Sequence, residues 1–119
     1  MTNVDVGKQG EQIAAEVLED AGYRLLDRNW RGEGGEIDIV AMDGWTLAAV
    51  EVKTRSSWRF GRPAEAVTPA KIARLRRLLG QWIGAHPQQP RPRELRLDVV
   101  AVTLPPGGAP MIDLLRGVS

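Results

Sequence analysis

The chain predicts an α/β domain with a mixed sheet covered by helices. Three observations carry this expectation. Apolar residues recur at helical spacing over 6–21 and again over 69–85. Two runs, 36–42 and 45–54, alternate around Asp43-Gly44, a strong short-range hairpin signal. An apolar run over 95–104 follows the second helical segment and reads as a strand.

In the first helix Ile13, Ala14, Val17, Leu18 and Ala21 mark the buried stripe, and Gly22 is a stop signal. Residues 23–30 predict a first strand, followed by a glycine-rich turn over 31–35. The hairpin strands come next, then a loop over 56–63. Thr68-Pro69 opens the second helix, with threonine as N-cap and proline at the first helical position. That helix is expected to bury Ile72, Leu75, Leu79, Trp82 and Ile83. A proline-rich connection over 87–92 leads to the strand over 95–104. Pro105-Pro106-Gly107-Gly108 turns the chain into a short last strand over 111–115. The order is α-β-β-β-α-β-β.

At 119 residues, the chain is expected to form one domain, 1–119. Hydrophobic content of 43% and charged content of 26% are those of an ordinary globular protein. Cysteine is absent, which excludes disulfides and thiolate metal sites. The one histidine, His86, excludes a site needing two imidazoles from one chain. No apolar run reaches the roughly 18 residues of a membrane span, and the first ten residues carry no signal-peptide core. A soluble cytoplasmic protein is expected. Net charge is only +1, but the distribution is uneven. Lys53, Arg55, Arg59, Arg62, Lys71, Arg74, Arg76 and Arg77 face a single acid, Glu65, in that stretch. Such clustering suits either a solvated basic face or a phosphate-facing surface.

The chemistry-bearing residues lie on the hairpin. If Asp43 and Gly44 form its two-residue turn, Met42 pairs with Trp45, Asp38 with Ala49 and Glu36 with Glu51. Alternation then sends Glu36, Asp38, Glu51 and Lys53 to one face. Asp38 and Glu51 become diagonal neighbours within reach of a shared ion. Ile37, Ile39, Val50 and Val52 take the other face. The bland alternative is an antiparallel sheet wetted on one side. As a site, the oxygen-only donors point to a hard divalent ion, Mg²⁺ or Mn²⁺. Lys53 would orient or deprotonate a water, or hold a phosphate.

Glu11 is a further carboxylate at the edge of the first helix's buried stripe. Gly7 and Gly10 beside it suggest a close approach of backbone or ligand. Lys71 and Arg74 flank the stripe of the second helix and suit phosphate contacts. Trp58, Arg59, Phe60 and Arg62 interleave aromatic and basic residues, as a stacking surface does. Asp98 interrupts an apolar strand and needs a partner, Arg55 or Arg96. His86, at a helix end, is read as a dipole partner.

Gly10-Glu11, Arg28-Asn29, Gly35-Glu36-Ile37-Asp38, Glu51-Val52-Lys53-Thr54-Arg55, Gly61 with Pro63, Glu65-Ala66-Val67, Lys71 and Leu97-Asp98-Val99-Val100 occur in this order. In this the chain resembles the YraN-like proteins, uncharacterised protein family 0102, over about residues 6–104. That family is similar to archaeal Holliday-junction resolvases within the restriction-endonuclease-like superfamily. The resemblance implies a restriction-endonuclease-like core α-β-β-β-α-β with a mixed central sheet flanked by helices. It implies that Asp38, Glu51 and Lys53 match the PD-(D/E)XK residues, with Glu11 the helix glutamate of the resolvase branch. The expected function is Mg²⁺- or Mn²⁺-dependent endonuclease action on DNA, including branched or junction DNA. Asp38, Glu51 and Glu11 would be the metal ligands, and Arg55, Arg59, Lys71 and Arg74 the nucleic-acid contacts. The alternative is a non-catalytic DNA-binding or partner-dependent module that keeps the fold. A homodimer is the assembly to test, and no membrane partner is expected.

Overall fold

The computed structural model describes residues 3–57 and 67–118. The elements follow the expected order. They are α1 (Asn3–Asp20), β1 (Arg24–Gly32), β2 (Gly35–Asp43), β3 (Thr46–Arg55), α2 (Pro69–Ala85), β4 (Glu94–Thr103) and β5 (Met111–Leu115). One five-stranded sheet runs in the order β1-β2-β3-β4-β5. Neighbouring pairs are antiparallel except β3–β4, which is parallel. A parallel pair needs a crossover connection, and α2 lies within it.

The two helices cover opposite faces, because alternate residues of the same strands feed two separate cores. Ala14, Ala15 and Leu18 of α1 pack with Ile39, Ala41, Ala48, Val50, Val100 and Val102. Leu75, Leu78, Leu79 and Trp82 of α2 pack with Val40, Met42, Leu47, Ala49 and Leu97. In α1 the stripe takes Ala15, while Ala21, expected inside, is exposed. In α2 Leu78 joins the expected stripe, and Ile72 and Ile83 are half-buried. Thr68 caps α2 as expected, its Oγ1 accepting the Lys71 N–H at 3.2 Å.

The hairpin turn differs from the expected one. Asp43 pairs with Thr46 and Met42 with Leu47, so the turn residues are Gly44 and Trp45. Gly44 has φ 63° and Trp45 does not share the left-handed region. Glycine at the first central position suits a II′ turn, whereas Asp-Gly would have needed positive φ at both positions. Each strand shifts by one residue, so along the paired ladder from Ile39/Val50 to Asp43/Thr46 the faces are unchanged.

Asp98 is buried and fully partnered. It accepts from Tyr23 Oη (2.6 Å), Arg96 Nε (2.8 Å) and the Gly117 N–H (2.9 Å). Of the two expected partners, Arg96 is the one it bonds. Arg96 also reaches Asp43 at 2.7 Å, which ties β4 to the hairpin turn. Burial and the Asp98 contact push the Tyr23 phenol up to about 12. His86 ends α2 with Nδ1 on the Trp82 carbonyl at 2.7 Å, a last-turn carbonyl contact as expected. Among the described residues no helix is long and apolar enough to cross a membrane.

Candidate metal centre

Regular alternation along β2 breaks at Asp38. Ile39 packs under α1, so Ile37 should as well; instead it packs under α2. Its partner on β1, Trp30, does the same. One step away, Arg28 pairs with Ile39 and reaches Gln12 of α1 at 3.3 Å. Both strands therefore roll over between the Arg28/Ile39 and Trp30/Ile37 pairs. Asn29, between them on β1, has φ 51°. Asparagine is among the few residues that enter this left-handed region readily.

The roll decides which carboxylates meet. Strict alternation would put Glu36 on the face of Glu51. The roll carries it to the α1 side, where Glu11 stands. Glu11, Glu36 and Asp38 bring carboxylate oxygens within 4.8 Å of one another. With its amide oriented to satisfy both neighbours, Asn29 donates to Glu36 Oε1 at 3.1 Å and Glu11 Oε1 at 3.0 Å. Arg31 adds an ion pair to Glu36 at 3.3 Å.

Gly10 explains how Glu11 gets so close. A Cβ on Gly10 would overlap the side chain of Thr54 on β3, so only glycine lets α1 sit this low. The close approach expected at Gly10 is present; Gly7 has open space around it.

Asp38 sits where β2 and β3 part. The paired ladder runs from Asp43/Thr46 to Ile39/Val50. Beyond it, Asp38 Oδ2 replaces a strand carbonyl and accepts the Val52 N–H at 2.8 Å. Burial raises its carboxyl to about 6, and Glu51, Glu11 and Glu36 add to the rise. The Val52 hydrogen bond works the other way.

Glu51 and Lys53 follow regular alternation and lie on the α2 side. Glu51 Oε1 pairs with Lys71 Nζ at 3.1 Å and with Lys53 Nζ at 3.8 Å. The Lys71 contact, followed by burial, holds the Lys53 ammonium below the usual lysine range, while Glu51 and Asp38 pull it back up. Asp38 is thus the junction between a carboxylate group on the α1 side and a Glu-Lys-Lys group on the α2 side.

The other expected residues are more scattered. Lys71 is committed to Glu51 and its side chain is only 16% exposed. Arg74 is exposed, one turn further along α2 and beside Gly35. Arg55 closes β3, where its carbonyl accepts the Leu104 N–H at 2.8 Å. Arg59 lies outside the described residues, as do Trp58, Phe60 and Arg62. Pattern reasoning does not single out Asn29 for the site. Its one physical signal is an asparagine inside a strand, a residue depleted there.

An oxygen-only donor set crowded with like charge fits a hard divalent cation and no soft one. Burial is the main cause of the raised Asp38 carboxyl, and the crowding of Glu51, Glu11 and Glu36 adds to it.

Helices on both faces of a mixed sheet, in the order α-β-β-β-α-β, make this a restriction-endonuclease-like α/β protein. The model of uncharacterised protein family UPF0102, the YraN-like family, matches residues 10–102, and the chain belongs to that family. A UPF0102 protein of Kineococcus radiotolerans is 54% identical over 96% of this chain and 93% of its own length. One from Beutenbergia cavernae is 51% identical over 95% and 94%. One from Streptomyces coelicolor is 50% identical over 96% and 88%.

Proposed function

We propose that the chain is a divalent-metal-dependent endonuclease that hydrolyses DNA phosphodiesters, with Mg²⁺ or Mn²⁺ as the ion. The observation that supports this most is the meeting of Glu11, Glu36 and Asp38 beside Glu51 and Lys53. Asp38 and Glu11 would hold the ion with Glu36, and Glu51 would complete the set from the α2 side. When bound, the ion supplies Lewis-acid polarisation of a phosphoryl oxygen.

The remaining work falls to the chain's own groups. Asp38, held by the Val52 N–H, cannot rotate freely and fixes one edge of the site. Lys53, with its ammonium pushed down by Lys71, is suited to orient a water and exchange a proton with it. Lys71 keeps Glu51 in place. Arg74 and Arg55 flank this region and are the proposed contacts to the DNA backbone, with Arg59. Branched or four-way DNA is the substrate suggested by the similarity to junction resolvases.

One observation favours a second reading. Glu51 already has two ammonium partners, which leaves it satisfied without an ion. This suits a DNA-binding or partner-dependent module that keeps the fold. Mn²⁺ titration and a cleavage panel over single-stranded, duplex, flapped and four-way DNA separate the two. The nuclease reading expects saturable Mn²⁺ binding that Asp38→Ala abolishes. It also expects cleavage that Lys53→Ala lowers at least 100-fold while Mn²⁺ still binds. A folded wild-type protein that takes up no Mn²⁺ ends the nuclease reading. Salt-dependent DNA binding that survives Asp38→Ala, without cleavage, favours the second.

A further inference from the structure

A second feature lies at the far end of α2. Lys71 and Ala85 are separated along the helix by about 20 Å at its 1.5 Å rise per residue. Beyond that end, Leu26, Met42, Leu47, Trp82 and Ile83 wall a cavity of about 270 Å³, with the 87–92 loop as its rim. The acids of the metal centre are not among its lining residues.

The cavity is built by a local device. β1 carries a bulge between Leu25 and Asp27. Leu25 packs under α1, yet Leu26 and Asp27 both turn to the α2 side. Leu26 becomes a wall. Asp27 accepts the Trp82 indole N–H at 2.9 Å and faces His86 Nε2 at 3.7 Å. His86 stacks on Trp82 with ring centroids 4.2 Å apart. Bulges often re-aim side chains in this way beside binding sites. The wall is therefore held by hydrogen bonding and stacking as well as by packing.

Size and charge narrow the occupant. Apolar cavities of about 150 Å³ hold one benzene, and drug-sized ligands occupy about 300–1,000 Å³. A volume of about 270 Å³ suits one or two bulky side chains. The surroundings are basic. Arg91 lies on the rim. Arg24 pairs with Met42 and so shares its face. Arg93 follows the rim residue Pro92 and lies over Trp45 at 5.4 Å. All three arginines are exposed, and none forms an ion pair among the described residues. Of the nearby acids, Asp43 is taken by Arg96 and Arg116 and Asp27 accepts the Trp82 indole N–H, so exposed Glu94 is the remaining acid beside the arginines. Trp45 is 56% exposed and Leu95 is 40% exposed on the same end, a flanking apolar surface.

We propose that this end docks an acidic segment of a partner protein. One or two bulky apolar side chains enter the cavity, and the flanking carboxylates meet Arg24, Arg91 and Arg93. Apolar anchors in pockets, rimmed by complementary charge, are the usual energetic core of such contacts. The site is separate from the metal centre and does not depend on the nuclease reading.

The probe is a fluorescein-labelled octapeptide of six aspartates around a central leucine–phenylalanine pair, titrated with the full chain by anisotropy. Saturable binding is expected. It should weaken at least tenfold when serines replace the apolar pair, and at least tenfold in Arg91→Glu. Gly84 lines the cavity, and a Cβ there meets no atom within 4 Å. Gly84→Leu therefore fills the space from an exposed helix position without strain, and should also cost at least tenfold. Asp38→Asn should leave peptide affinity unchanged. No binding, equal binding of the serine peptide, or full binding by a folded Gly84→Leu protein overturns the proposal. So does displacement of the peptide by an equimolar oligothymidylate, which would make the surface one for nucleic acid.

Discussion

Asp38 carries the strongest single-residue consequence. Its carboxyl, ordinarily near 3.8, is raised to about 6 in the fold. Between those values the folded chain holds a proton that the unfolded chain has released. Its contribution is therefore fully present below about pH 4 and is lost as pH rises through about 6. The cost at pH 8 is on the order of 2–3 kcal/mol, since each tenfold change in proton affinity is worth about 1.4 kcal/mol. Asp38→Asn keeps an acceptor for the Val52 N–H and removes the charge. The metal-free variant should melt several degrees above wild type at pH 8, and the difference should shrink towards pH 5. Mn²⁺ should raise the wild-type Tm at pH 8 and leave that of the variant unmoved. Identical Tm profiles for the two proteins would contradict this account of the site. The nearness of Asp38, Glu51 and Lys53 was legible in the sequence because alternation and the Glu-x-Lys spacing are local facts. The involvement of Glu36 was legible only as a shared face, and the face it takes was not. That depends on Asn29, which belongs to another strand.

At the scale of elements, the hairpin teaches how far alternation carries. Its two strands were readable, and so was the side of β3 that bears Glu51 and Lys53. The turn lies one residue later than Asp-Gly predicts, because Asp-Gly suggests one turn type and Gly44-Trp45 adopts another. The roll at Asn29 and Asp38 had no hairpin-local signal at all. It requires β1 and β2 to invert together, a tertiary event. This makes a prediction for β1. Asn29→Val forces a β-branched residue into the left-handed region and should cost about 1–3 kcal/mol in urea unfolding. It should also weaken Mn²⁺ binding, because relieving the strain returns Glu36 to the far side of the sheet. Asn29→Gly tolerates the same backbone and should keep Mn²⁺ binding. If glycine and valine weaken the ion equally, the bridging carboxamide matters and the roll does not. The helices were easier. Thr68-Pro69 signals its cap directly, and the small residues of α1 answer to the close seat on β3 that Gly10 allows.

The whole molecule places its two candidate sites at opposite ends of one helix. The mixed sheet was readable from element order, because a helix between two strands favours a parallel pair; that β3–β4 is this pair is seen only in the structure. The cavity was not readable. It depends on a bulge in β1 and a proline-rich connection meeting in space, neither of which advertises the other in sequence. The same is true of the Asp98 cluster, which gathers Tyr23, Arg96, Asp43 and Gly117 from four separate stretches of chain. That cluster has a practical use. The protein has a single tyrosine, and it is the buried one. Its phenol keeps its proton in the fold until about pH 12, against 10.0 when free. Stability from this group is thus present below pH 10 and drains away as pH climbs through 12. An alkaline titration followed by the ultraviolet band of phenolate should stay flat past pH 10 in the native protein. In concentrated guanidinium chloride the same band should appear around pH 10. Tyr23 is in effect a built-in optical indicator, dark while the β4 clasp is closed and coloured once it opens.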